Sequence, residues 1–218
     1  MKLLNNSSIK QKILYVIIAS FVVFIIYEVY AVGVAYKNLP TKFSQYNSMS
    51  LEDLGLNKER QAILVKVQDP TFYTHSGIEW PSPLTSTTIT QSLVKKLFFK
   101  KFTKGFKKIE QTLIARFVVT PNIDKDTQLI AFISTAYFGS KDGKEIYGFN
   151  EGALAWFHKP LSELSDDEYI SLLAMLIAPN KVQPNTPYMQ ERVQRIQKVL
   201  SGECIYNNVS QIDLEQCS

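Results

Sequence analysis

Between Ile13 and Val34 the only charged side chain is Glu28. A helical run of 22 residues at about 1.5 Å per residue is long enough to cross the roughly 30 Å hydrocarbon core of a bilayer. The run predicts a transmembrane helix over 13–34, and a chain of 218 residues leaves room for one compact domain beyond it. A cleaved signal peptide is the competing reading, with Gly33-Val34-Ala35 as the small-residue cleavage site. The apolar stretch, however, exceeds the usual length of such a region, about 7–15 residues. Lys2, Lys10 and Lys12 precede the span without an acid, while Lys37 and Lys42 follow it. The positive-inside rule thus favours residues 1–12 in the cytoplasm and the folded domain outside. Cys204 and Cys217 fit an exported domain, where a bridge between them contributes about 3 kcal/mol by the chain-entropy estimate. Free thiols are the alternative.

Beyond the span, Asn38 to Ser50 is polar and contains Pro40. Residues 35–50 read as a linker leading to a helix that Ser50 and Asp53 cap, with the domain over 51–200 and a tail over 201–218. Helical periodicity dominates the domain. Ile109, Leu113 and Phe117 recur four apart before Pro121, and the next helix is expected from Asp124 to Tyr137. Ser165 with Glu168 forms a capping-box pattern in front of an apolar run from Tyr169 to Ile177 that Pro179 closes, which marks a core helix. A final amphipathic helix over 189–200 places Val193, Ile196, Val199 and Leu200 on one side and leaves Arg192, Arg195 and Lys198 to solvent.

Seven lysines and no acid lie between Lys95 and Lys108, in a chain whose net charge is only +4. Phe98, Phe99, Phe102 and Phe106 are interleaved with them. Basic residues mixed with aromatics suit either nucleic acid or an anionic membrane surface. A domain outside the membrane excludes nucleic acid, and lipid headgroups are the expected contact. A solvated lysine face is the plainer alternative, but four phenylalanines are poorly placed in water.

Gln68-Asp69-Pro70-Thr71-Phe72-Tyr73-Thr74-His75-Ser76-Gly77 resembles motif one of the peptidoglycan glycosyltransferases of family 51. Asp69, Phe72, His75 and Gly77 fall on the family positions, and Gln68 stands where the family has glutamate. Thr87-Thr88-Ile89-Thr90-Gln91-Ser92-Leu93-Val94-Lys95 is similar to motif two, with Thr88, Thr90, Gln91 and Lys95 in agreement. Thr85-Ser86 replaces the usual glycine pair, and Ser92 replaces the second glutamine. Phe106-Lys107-Lys108-Ile109-Glu110 resembles motif three without its arginine. Motif four keeps Tyr137-Phe138-Gly139 but carries Ile130, Phe132 and Ser134 at its polar positions. The stretch Tyr147 to Phe157, followed by Leu161-Ser162-Glu163-Leu164 and Leu172 to Pro179, resembles motif five. The likeness covers 51–200 in the family's order.

The resemblance implies a mostly α, lysozyme-like glycosyltransferase domain behind an N-terminal transmembrane helix, held at the bacterial inner membrane on its outer, periplasmic side. It implies lipid II or a lipid-linked glycan as ligand, with cell-wall synthesis proteins as further partners. In the family's reaction the 4-hydroxyl of lipid II attacks the anomeric carbon of a lipid-linked donor, and undecaprenyl pyrophosphate leaves. A carboxylate base and positive charge around the pyrophosphate are then needed. By carry-over the catalytic positions are Gln68, Glu110 and Asp69, and the substrate-binding positions are Phe72, His75, Thr88, Thr90, Gln91, Lys95 and Lys107. A glutamine amide has no usable basicity near neutral pH, and losing a general base costs typically 10²–10⁴-fold. The expectation is therefore a precursor-binding relative with weak or absent polymerisation. An active transglycosylase with a reworked base, Asp69 among the options, and a non-catalytic scaffold are the alternatives.

Plainer roles exist for several of these residues. Lys107 and Glu110 make an ordinary ion pair one helical turn apart, worth about 0.2–0.5 kcal/mol. His75 suits a hydrogen-bonded structural histidine, since with only His158 besides there is no zinc-type cluster. No cofactor is called for, and a divalent metal is left open because no ligand set for one is evident in the sequence. Paired carboxylates for a lysozyme-like hydrolase and a Ser-His-Asp arrangement are both missing. No transpeptidase domain is expected after motif five.

Overall fold

The computed structural model describes residues 3–103 and 105–218; Lys2 of the N-terminal basic cluster and Lys104 of the lysine run lie outside them. One long helix, α1 (Leu3–Phe43), leads into a domain of shorter helices. Its stretch from Ile9 is long and apolar enough to cross a membrane. The helix does not give way to a linker at residue 35. It runs through Pro40 to Phe43 and continues as a short 3-10 turn, Ser44–Tyr46. Ala35, Leu39 and Phe43, four apart, are buried in the domain core together with Tyr46. An apolar stripe at helical spacing thus outweighs the backbone hydrogen bond that Pro40 removes. No helix starts at Leu51 either. Ser50 accepts the N–H of Asp53 at 3.1 Å only within a turn, and α2 (Lys58–Gln68) begins behind Asn57, whose side chain caps Arg60 N.

Helix α3 (Ile89–Phe98) starts with a complete capping box between Thr88 and Gln91. Helix α4 (Phe106–Ile114) passes into a π-helical stretch, Ala115–Val119, and ends in a last turn, α5 (Thr120–Asn122), that contains Pro121. Ile109, Leu113 and Phe117 do lie on one face. That face meets α1, beside Phe24, Ile25 and Val32. Phe106 stacks on Phe24 with ring centres 5.4 Å apart. Opposite it on α1, Glu28 is 5 % exposed and neither of its carboxylate oxygens has a hydrogen-bond partner.

Helix α6 (Lys125–Thr135), capped by Asp124, leads into an antiparallel hairpin, β1 (Tyr137–Lys141) and β2 (Lys144–Tyr147). The turn is Asp142-Gly143, both with positive φ, as a tight two-residue hairpin requires. Helix α7 (Phe149–Phe157) follows. Helix α8 (Asp166–Met175) has the expected Ser165–Glu168 capping box and a buried face from Tyr169 to Met175. It is the core helix, tied to α2 by the hydroxyl of Tyr169, which donates to Arg60 O at 2.8 Å. The Arg60 guanidinium in turn donates to Leu161 O at 2.7 Å and to Leu164 O.

Helix α9 (Pro187–Ser201) carries Ile196 and Val199 inward. Arg192, expected in solvent, is 4 % exposed. Its Nη1 donates to Asp213 O at 2.7 Å, because residues 203–218 fold back over this face of the helix. Burial lowers the Arg192 pKa to about 10. A Cys204–Cys217 disulfide closes the segment. Tyr206, Val209 and Leu214 are buried beneath it, so the expected tail is part of the packed domain.

Candidate functional site

Gln68 ends α2, and the loop behind it folds around a buried carboxylate. Asp69 has no exposed surface. It accepts from His75 Nε2 at 2.9 Å and from the backbone N–H of Ile89, the first residue of α3, at 3.0 Å. A negative charge at a helix N-terminus is favourable. The other imidazole nitrogen, Nδ1, accepts the N–H of Gly77 at 2.9 Å, so the ring proton sits on Nε2 and points at Asp69. Gly77 has φ +88°, and a Cβ there would lie 2.2 Å from Thr120 Oγ1 and 2.7 Å from Ala115 O. Its carbonyl accepts from the Thr88 hydroxyl at 2.8 Å. Motif one and the start of motif two are therefore one hydrogen-bonded unit.

This geometry corrects several carried-over roles. Phe72, Thr88, Thr90 and Gln91 are fully enclosed, and the three polar side chains are occupied within the protein. Thr90 donates to Gln128 at 2.7 Å. Gln91 donates to Pro83 O at 2.8 Å and to Thr112 at 3.1 Å. Asp69 is likewise sealed in, its carboxylate held by His75 and the N–H of Ile89. These residues build the cleft and do not face it. Asp69, His75 and Glu79 also bring ligand atoms within 4.8 Å of one another. Each of these residues has a hydrogen-bond partner, Glu79 accepting from Thr71 at 2.6 Å and from Asn208 at 3.1 Å, so the three belong to one hydrogen-bond network.

Two cavities meet at Lys95. One, of about 270 Å³, is lined by Gln68, Ser92, Lys95, Phe132 and Tyr137 among others. Gln68 is 7 % exposed, and its amide nitrogen has no hydrogen-bond partner. The second, about 860 Å³, is lined by Thr85, Thr87, Lys95, Phe102, Lys108 and Gln111 among others. Lys108 donates to Ser86 O at 2.7 Å and to Thr87 Oγ1 at 3.1 Å, and Gln111 donates to Gln91 O at 2.5 Å. Among the described residues no aspartate or glutamate lines either cavity.

The expected pair on α4 lies elsewhere. Lys107 and Glu110 are 3.9 Å apart. Lys107 stands 4.9 Å above the ring of Phe99, and Glu110 lines a groove beside α1. One residue along a helix is a rotation of about 100°, so Lys108 and Gln111 face α3 while Glu110 turns toward α1. Lys108 and Gln111 are the residues that the sequence reading missed; moving motif three one residue along, onto Lys107-Lys108-Ile109-Glu110-Gln111, is the signal that points to them. Tyr137, which belongs to motif four, lines the cleft of Gln68.

Burial lowers the pKa of Lys125, below motif one, to about 8, partly offset by Asp69. Its Nζ has no hydrogen-bond partner and rests 4.4 Å from the Phe72 ring centre.

A mostly helical domain with a cleft at Lys95, behind a long apolar N-terminal helix, defines a lysozyme-like class. Residues 40–202 match the family described as Transglycosylase, and the chain belongs to that family, as a divergent peptidoglycan glycosyltransferase. It is similar to penicillin-binding protein 1B of Escherichia coli, with 30 % identity over 127 residues, covering 52 % of this chain and 15 % of that protein. It is 27 % identical over 141 residues to penicillin-binding protein 1B of Buchnera aphidicola, covering 58 % of this chain and 19 % of the relative. The Vibrio cholerae protein of the same name is 26 % identical over 138 residues, covering 56 % and 17 %. The chain thus spans less than a fifth of the length of these relatives.

Proposed function

We propose that the protein binds a lipid-linked glycan pyrophosphate, of the lipid II type, at the outer face of the bacterial inner membrane, and that it polymerises this ligand weakly or not at all. The observation that carries this reading is the cleft at Lys95, which holds cations and amides but no carboxylate among the described residues. Lys95 and Lys108 supply positive charge and hydrogen-bond donors for a pyrophosphate. Gln68 offers an amide nitrogen without a protein partner, and Gln111, whose amide nitrogen is held by Gln91 O, offers only its carbonyl oxygen; neither side chain can take up a hydroxyl proton. With Asp69 sealed away and Glu110 facing α1, the cleft has no carboxylate among the described residues to act as the base for an attacking hydroxyl.

Anchoring by α1 keeps the cleft beside the bilayer, where a lipid-linked ligand is confined. The role of such a protein in wall assembly is then to hold the precursor or nascent glycan for partner enzymes. Direct binding tests the reading. Full-length protein in nanodiscs should retain lipid II, and Lys95→Ala should weaken that binding; no binding by the unaltered protein removes the reading.

A further inference from the structure

A second groove, of about 520 Å³, runs between α1 and the lysine-phenylalanine lobe and takes none of its lining from Gln68, Lys95 or Lys108. Its α1 wall extends from Tyr27 to Lys42, about 22 Å at 1.5 Å per residue. That is about the depth of one leaflet with its headgroup layer, half of the roughly 40–45 Å of a bilayer. The lining changes character along this length. Tyr27, Tyr30, Ala31 and Val34 line it on the side of the apolar span, with Phe98 and Phe99 across from them. Lys42 and Lys100 bring two cations to it, beside Lys96, whose ammonium stands 3.3 Å from the Tyr147 ring centre, against the single carboxylate of Glu110, which is already paired with Lys107 at 3.9 Å. Asn38 adds an exposed amide.

We infer that this groove is a binding site for an anionic phospholipid of the outer leaflet, its phosphate between Lys42 and Lys100 and an acyl chain along Tyr27 to Val34. The inference rests on the membrane-anchor reading of α1. Charge complementarity and depth select this occupant. A water-soluble anion leaves the apolar part empty, and an uncharged lipid leaves the excess positive charge at the headgroup level uncompensated. A phospholipid seated here wedges α1 against α4 and the lobe, so the groove couples the anchor's tilt to the lysine lobe.

The test uses full-length protein. Carbonate extraction comes first, and release of intact protein would defeat the anchor itself, separately from the groove. Native mass spectrometry from mixed nanodiscs then compares phosphatidylglycerol with phosphatidylcholine, for wild type and for a Lys42→Gln/Lys100→Gln variant. Lys37→Gln, outside the groove, serves as a charge control. Lys96 stays unaltered because it also lines the Gln68 cleft. Wild type should keep one phosphatidylglycerol in preference to phosphatidylcholine. The double variant should lose about 25-fold in that preference, since each basic residue near an anionic headgroup contributes about fivefold. The Lys37 control should change little. Equal retention of the two lipids, or a double variant no worse than the control, overturns the inference. Displacement of phosphatidylglycerol one for one by lipid II also overturns it, since the groove would then be the precursor's own path.

Discussion

Asn208 donates its side-chain amide to Glu79 at 3.1 Å, joining the disulfide-closed C-terminal segment to the loop of motif one. Glu79 is buried, and its other oxygen takes the Thr71 hydroxyl. The segment beyond residue 202 lies outside the family match, yet it braces the loop that positions Gln68. Replacing both cysteines by serine should lower stability by about 3 kcal/mol for a loop of this length. Asn208→Ala should cost about 1.5–3 kcal/mol, the usual contribution of a hydrogen bond to a charged group. Denaturant unfolding gives both numbers. Hydrogen exchange should show residues 69–79 opening more readily in each variant, and unchanged protection there would refute the bracing.

Asp69 holds the N-terminus of α3 and His75 together, so its loss is a folding lesion. Asp69→Ala should destabilise by about 3–5 kcal/mol, as expected when a buried charged partner is removed from a hydrogen-bonded set. Thr88→Ala, which removes an N-cap, should cost about 0.5–2 kcal/mol. Thermal unfolding of the two variants should rank them in that order. An Asp69→Ala protein as stable as wild type would return Asp69 to the list of substrate-facing groups.

Lys125 gives a pH signature of defined sign. Its folded pKa, about 8, lies below the ordinary lysine value of 10.5 because burial disfavours the charge. Between pH 8 and about 10.5 the unfolded chain therefore binds more protons than the native one, and this group's contribution to stability rises with pH across that window. Below pH 8 the buried charge is a constant penalty. Lys125→Met should stabilise the protein at pH 7, with the gain shrinking toward pH 10. Chemical unfolding at several pH values reads this directly, and a gain independent of pH would show that the lysine is solvated.

Much of the fold was legible where a local signal and the tertiary structure agree. The Ser165–Glu168 box, the Asp124 start of α6 and the apolar face of α8 all follow from side chains within one helical turn of each other. Residues 35–50 misled because polarity and Pro40 speak for a linker, whereas the deciding fact is a long-range one: Ala35, Leu39 and Phe43 meet the core. Arg192 misled for the same reason, its cover arriving from residues 203–218. The hairpin did have a local signal in Asp142-Gly143, between Tyr137-Phe138 and Ile146-Tyr147. At the site, motif matching found the right segments and, of the facing side chains, Gln68 and Lys95 but not Lys108 and Gln111. Thr88, Thr90 and Gln91 match the family because they build the cleft. Glu110 and Gln111 differ by one step of helix, and the sequence admits motif three in either register; packing against α1 and α3 selects the one that puts Gln111 at the cleft.

The central claim is that the cleft binds its ligand without a carboxylate to deprotonate it. Lipid II turnover by full-length wild type should be near background. Gln68→Glu should raise it, by up to about 10²–10⁴-fold if that carboxylate is the only missing part. With Gln111 also facing the cleft, the double variant Gln68→Glu/Gln111→Glu should exceed the single one. Wild-type turnover comparable to that of a family member with glutamate at this position would contradict the claim.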